Sequence, residues 1–225
     1  MIEKRHHTVG LAGEPVELLP ERAVFWSRSR ILLIADIHFG KAATFRARGL
    51  PVPHGTTLDN LDRLSSLIAA WHPEQIVFLG DFLHAREAHA AQTLDTLRHW
   101  RQQHAALKLT LVRGNHDAKA GDPPDYLDIE VVNEPHVVGP FALCHHPQAR
   151  AEGYVLAGHL HPSFRIPGRG YDGVTLPCFW FGREVGVLPA FGAFTGCLRV
   201  QPAEGESVYV AAPDTVRPVP LKSRA

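Results

Sequence analysis

Residues 31–38 read ILLIADIH, and the change of character within them decides the fold. Ile31–Ala35 is an unbroken apolar run, as expected of a strand covered on both faces. Asp36 and His38 then stand two residues apart, where the run stops and a loop takes over. The same transition recurs in IVFLGDFLH (76–84) and in LKLTLVRGNHD (107–117). Between the first two, Leu58, Leu61, Leu64, Leu67, Ile68 and Trp71 repeat at helical spacing. Thr56 with Asp59 suggests a capping box there, and Pro73 ends the helix. A second helix is expected over Ala88–His104. Strand, helix, strand, helix, strand implies parallel crossovers.

Outward from this centre the pattern is shorter. Val9–Leu11, Val16–Leu18 and Ala23–Trp26 are β-like, and Gly-Pro-rich sequence read as loop follows His38. After Gly121 no helical period remains. Short strands are expected at Val131–Val132, Val137–Val138, Phe141–Cys144, Tyr154–Ala157, Val174–Phe181, Val185–Leu188, Cys197–Val200 and Ser207–Val210. The expected class is α/β, two packed sheets flanked by helices in one domain over 1–225, with 213–225 a loose tail.

Composition narrows the function classes. Lys plus Arg and Asp plus Glu are both 23, so global charge gives no bulk attraction to nucleic acid or anionic membrane. Cys144, Cys178 and Cys197 show no C-x-x-C spacing, which signals neither a disulfide framework nor a thiolate zinc site. With no apolar leader-like segment and no run near the roughly 20 residues of a membrane helix, a cytoplasmic protein is expected. The unusual feature is 15 histidines.

Several of these fall in five motifs just after expected strands, where α/β sheets place binding loops: Asp36/His38, Gly80-Asp81 with His84, Gly114-Asn115-His116-Asp117, His145-His146-Pro147 and Gly158-His159 with His161. Together they bring two carboxylates, an amide oxygen and several imidazoles to one rim, the mixed oxygen and nitrogen set that borderline divalent metals take. From the residues alone, either His145 or His146 could be the ligand.

These motifs in this order resemble the calcineurin-like metallophosphoesterase superfamily, which implies a four-layer αββα sandwich of two mixed sheets. The resemblance implies that Asp36, His38 and His161 bind one metal, that Asn115, His145 and His159 bind the other, and that Asp81 bridges them. It favours His145 over His146. It sets His116 beside the scissile phosphate with Asp117 orienting it. Charge suits this chemistry: two divalent cations, less two carboxylates and one bridging hydroxide, leave a single positive charge to meet a phosphodiester. The hydroxide would attack phosphorus in line while an imidazole such as His116 stabilises or protonates oxygen.

His84, where many members carry Asp, resembles the DNA-repair nuclease branch. IADIHFGKAATFRARGLPVPHGT (34–56), GDFLHAR (80–86), CHHP (144–147) and LPAFGAFTG (188–196) resemble the ligase-associated phosphoesterases of the PdeM type. That implies a phosphodiesterase or endonuclease of DNA repair, with manganese as cofactor (zinc or iron as alternatives) and an ATP-dependent DNA ligase and a helicase as partners. Lys41, Arg46 and Arg48, with Arg86 and Arg113, are candidate phosphate contacts, and His84 a candidate catalytic residue. Two other readings compete: a nucleotide or UDP-sugar pyrophosphatase, for which no lipid-shaped cap insertion is visible, and a scaffold that docks a ligase or helicase.

Overall fold

A computed structural model describes residues 5–47, 49, 55–168, 172–193 and 195–220, with the side chains of 43, 46 and 47 excepted. The apolar run becomes strand β4 (Ile31–Ile34), preceded by β1 (His7–Leu11), β2 (Glu14–Leu19) and β3 (Ala23–Trp26). Then come helix α1 (Lys41–Ala47), α2 (Thr56–Trp71), β5 (Gln75–Leu79), α3 (Ala91–Gln103), β6 (Lys108–Val112), the short α4 (Asp117–Ala120) and β7 (Ile129–Val132). These seven strands form one sheet in chain order, antiparallel from β1 to β4 and parallel from β4 to β7. The expected crossovers are therefore present.

Alternation explains why β4 is apolar throughout. Leu32 and Ile34 pack toward α2 and α3, against Leu61, Leu64, Leu67, Leu97 and Trp100. Leu33 and Ala35 face the opposite way, into a core shared with the second sheet. Truncating a fully buried side chain here, such as Leu64, costs about 2–5 kcal/mol.

The second sheet contains β8 (His136–Val138), β9 (Phe141–Leu143), β10 (Tyr154–Ala157), β11 (Pro162–Pro167), β12 (Gly173–Phe181), β13 (Val185–Val187), β14 (Leu198–Arg199), β15 (Ser207–Ala211) and β16 (Val216–Pro218). Its order is β14-β11-β12-β13-β10-β9-β8, with β15 and β16 continuing from β12. It is mixed: β9, β10 and β13 are parallel, while β8 and β12 run against them. Phe141, Leu143, Leu156, Phe179 and Phe181 meet Val24, Leu33, Val77 and Val112 between the sheets. The expected metallophosphoesterase sandwich of two mixed sheets is thus found. Among the described residues its α-helices all precede Gly121, and α2 and α3 cover the first sheet, as the missing helical period after that glycine implies.

Several local expectations are corrected. Gly-Pro punctuation concealed α1, whose KAATFRA is rich in helix formers. The Thr56/Asp59 capping box does not form: Thr56 lies inside the helix and Gly55, at φ 97°, is the cap with no side-chain bond. The Ala88–His104 helix is broken at Ala90 into a 3-10 turn (Arg86–His89) and α3. Ile129–Val132, the first of the short strands after Gly121, joins the first sheet in parallel with β6. The tail is not loose over Val216–Pro218, because Val216 is buried in the core and Arg5 bonds the backbone at Asp214 and Val216. Its prolines are tolerated at an edge.

Candidate metal centre

The loops after β4 and β5 run side by side beyond the sheet. His38 N–H donates to the Asp81 carbonyl (2.9 Å), Phe39 N–H to that of Phe82 (2.8 Å), and His84 N–H to that of Phe39 (3.1 Å). Side chains tie in the other loops. Asp81 Oδ1 accepts from His116 N–H and Asp36 Oδ2 from His159 N–H, both at 2.9 Å. Asp36, His38, Asp81, His159 and His161 all have left-handed backbone, with φ between 49° and 69°. Asp and His tolerate that region better than most residues, but it is strained and persists where surroundings over-determine it. Two glycines let the walls close in. A Cβ on Gly80 would lie 2.2 Å from His145 Nδ1, and one on Gly158 would lie 2.6 Å from Asp36 Oδ2.

Asp36, His38 and His161 form a first cluster whose ligand atoms lie within 4.8 Å of one another. His161 Nδ1–H donates to the Gly196 carbonyl (3.0 Å), which turns the Nε2 lone pair toward Asp36 Oδ1 at 3.6 Å. Asp36 Oδ1, His38 Nε2 and His161 Nε2 are each buried without a hydrogen-bond partner. Lone pairs converging in a buried place call for a cation; ligand atoms about 2.0–2.2 Å from a shared ion lie roughly 3–4 Å apart. Burial, then the charge of Lys41 and the neighbouring imidazoles, drives the His38 pKa far down, leaving it neutral. Burial also lowers that of His161, but the nearby Asp36 carboxylate outweighs it and raises the net value.

A second cluster contains Asn115, His145 and His159. His145 Nε2 lies 2.9 Å from Asn115 Oδ1 and 3.1 Å from His159 Nδ1. Its Nδ1–H donates to the Leu79 carbonyl (3.0 Å), which fixes the tautomer as in metal-ligating histidines. His145 and His146 both lie with His159 in a group that could hold a metal, but the His145 side chain is 0% exposed and that of His146 is 37%. His146 turns instead to Glu134, Nδ1 to Oε1 at 2.9 Å. Sequence reading missed Glu134, whose Oε2 also accepts N–H from His145 (2.8 Å) and His146 (2.9 Å). Burial would raise the Glu134 pKa, but these N–H groups and the His146 ring hold it below the ordinary value. Asp81 lies between the clusters, Oδ1 3.5 Å from His145 Nε2 and Oδ2 3.8 Å from His38 Nε2.

At the rim, His116 and His84 stack with ring centres 4.9 Å apart. His84 Nδ1 is 3.4 Å from His38 Nδ1. His116 Nδ1–H donates to the His84 carbonyl (2.6 Å), leaving Nε2 4.0 Å from Asp81 Oδ2. The expected Asp117 partnership with His116 is therefore not found. Asp117 opens α4 with its side chain turned inward, accepting N–H from Leu83 (3.0 Å) and Gly114 (2.9 Å). Burial pushes its pKa up to about 6, against the opposing pull of those N–H groups.

Arg113, expected as a phosphate contact, has its guanidinium engaged by Asp122 (2.7 and 3.0 Å) and Asn133 (2.8 Å). Arg86 is exposed and points Nε toward the Lys119 carbonyl at 3.5 Å. Lys41 is half-buried; burial lowers its pKa while Asp36 and Asp81 raise it, so its amine sits in the field of both carboxylates. The Arg46 side chain and Arg48 lie outside the described residues. Phe179 and Phe191 are fully buried and pack rather than stack on a ligand.

The chain is similar to known proteins over most of its length. A family model described as calcineurin-like phosphoesterase matches residues 29–165. The crystal structure of Pseudomonas putida nuclease MPE is 45% identical with a TM-score of 0.85, covering 96% of this chain and 100% of that one. That of a protein of unknown function, AQ665 from Aquifex aeolicus, is 20% identical with a TM-score of 0.41, covering 63% of this chain and 82% of that one. Comparison with curated proteins gives no match.

Proposed function

This chain belongs to the calcineurin-like phosphoesterases and is a metal-dependent phosphoesterase; from that premise we propose that it is a two-metal phosphodiesterase acting on nucleic acid. The observation that carries the reading is the pair of ligand clusters flanking one carboxylate, Asp81. Asp36, His38 and His161 would hold one cation, Asn115, His145 and His159 the other, with Asp81 shared. Two bound divalent ions would supply charge to a phosphoryl group and a nucleophile near neutral pH. Manganese suits the hard-to-borderline donor set.

The protein's own groups do the rest. The His84 carbonyl keeps the proton on His116 Nδ1, so Nε2 is the atom that gains and loses one at the rim. From there His116 hydrogen-bonds a phosphoryl oxygen or protonates the leaving oxygen. His84, stacked on His116, contributes a second imidazole to the same edge. Lys41 adds a cation that steers an anionic strand, and the exposed Arg86 would join it, as would Arg46 by its place in the sequence.

A nucleic-acid substrate is supported by near full-length likeness to a nuclease, and DNA within that class rests on the sequence resemblance. Service in ligase-associated repair, beside an ATP-dependent ligase and a helicase, rests on the sequence resemblance, and a cytoplasmic location on composition. Among the described residues no helix is long and apolar enough to cross a membrane. The test is manganese-dependent hydrolysis of an aryl phosphodiester, its matching monoester and a single-stranded oligonucleotide. Diester and oligonucleotide are expected to be cut, the monoester far more slowly. Faster monoester cleavage with an intact oligonucleotide would overturn the reading.

A further inference from the structure

Helix α2 carries two polar side chains where its inward face meets the metal loops. Asn60 is buried, and its Nδ2–H donates to the Ile37 carbonyl at 3.3 Å, between Asp36 and His38. Arg63, one turn on, donates from Nη2 to Asn60 Oδ1 (3.3 Å) and to the Phe191 carbonyl. Its guanidinium also lies 3.8 Å from the Phe191 ring centre.

The segment that Arg63 grips is itself bonded to the first metal loop. Phe191 N–H donates to the Ala35 carbonyl (2.8 Å) and Gly192 N–H to the Asp36 carbonyl (3.1 Å). The approach is close enough that a Cβ on Gly192 would lie 2.5 Å from the Ile37 oxygen. Arg22 holds the same segment from the other side, Nη1 to the Ala190 carbonyl at 3.1 Å. Farther along it, the Gly196 carbonyl orients His161.

Three consecutive backbone carbonyls, those of Ala35, Asp36 and Ile37, are thus each held by a donor that Asn60 or Arg63 supplies or secures. The left-handed residues Asp36 and His38 flank the last of them. By contrast, the hydrogen bonds around Asn115, His145 and His159 involve Leu79, Glu134 and, through His159 N–H, the Asp36 carboxylate, but among the described residues none from α2. We propose that Asn60 and Arg63 are positioning residues for the first metal subsite, holding Asp36, His38 and His161 in ligating geometry through the backbone. This rests on the reading that those three bind metal.

The experiment measures manganese affinity by the electron paramagnetic resonance of free ion, with melting temperature alongside. Asn60→Ala, Arg63→Ala and Arg63→Lys are each placed in the His145→Ala background, which isolates the first subsite, and in Asp36→Asn, which isolates the second. Outer partners of a ligand contribute about 10–100-fold in affinity. A loss of that size in the first background, with the second unchanged, is the expected result. Arg63→Lys should behave like Arg63→Ala, because one ammonium cannot replace the planar group that spans Asn60 and Phe191. Equal weakening of both subsites, or none, would overturn the proposal; if an alanine variant does not fold, Arg63→Lys decides by the same criterion. Should Asp36→Asn alone leave manganese binding intact, the underlying assignment fails instead.

Discussion

The two ligand clusters use similar residues but are held differently. In the first, Asp36 Oδ1, His38 Nε2 and His161 Nε2 converge with no hydrogen-bond partner. In the second, His145 Nε2 already lies at 2.9–3.1 Å from Asn115 and His159. With the His145 Nδ1–H committed to Leu79, Nε2 turns a lone pair toward Asn115 Oδ1, itself an acceptor, and the bond open to it is from a His159 Nδ1–H, which a cation would displace. At the first cluster a cation meets only unpaired atoms, whose burial is otherwise costly. On the two-metal reading, the first subsite would be built around its ion and the second partly around its own side-chain contacts. The first should bind manganese more tightly.

The largest effect should come from the group that the clusters share. Asp81→Asn removes charge from both and should abolish turnover beyond the about 10²–10⁴-fold loss typical of a missing general acid, with both manganese ions weakened. Two ions bound at normal affinity would break the symmetry assigned to Asp81. His116→Ala should lose about 10²–10⁴-fold in rate yet bind both ions, with the smallest defect for aryl diesters of low leaving-group pKa. Rates across graded leaving groups, read beside metal content, check this; loss of an ion would make His116 a ligand.

A smaller, one-sided effect is expected from Glu134→Ala. It frees the two backbone N–H groups of the His145-His146 pair and should weaken the second subsite by about 10–100-fold while sparing the first. Manganese titration of that variant would contradict the account if the first subsite weakened instead. Smallest is the difference in thiol reactivity. Cys144, beside His145, is buried, with burial and then Glu134 pushing its pKa up to about 11, while Cys197 beside Gly196 is exposed. At pH 8 the Cys144 thiolate fraction is about a thousandth, so a chromogenic disulfide should label Cys197 in the folded chain and Cys144 only on unfolding.

What the sequence revealed follows the range of the signals. The first two parallel strands were legible because their apolar runs end in polar turns, and the motifs at those ends do converge. Contacts between chain neighbours misled: Asp117 beside His116 suggests a pair, yet the opening turn of α4 points the carboxylate inward. Arg113 looked free beside Gly114 but finds Asp122 nine residues on. Glu134 was invisible, since an isolated acid eleven residues before His145 has no local pattern. Asn60 did leave a trace. It is buried with Leu61, Leu64 and Leu67, so a polar residue interrupts an apolar stripe, while Leu58, expected in that stripe, is 55% exposed.

The most direct measurement is a manganese titration of the unmodified chain beside Asp36→Asn and His145→Ala, followed by calorimetry. The unmodified chain should bind two ions in separate steps. Asp36→Asn should remove the tighter step and His145→Ala the weaker. One ion per chain, or both steps lost alike in either variant, would contradict a centre made of two unequal subsites joined at Asp81.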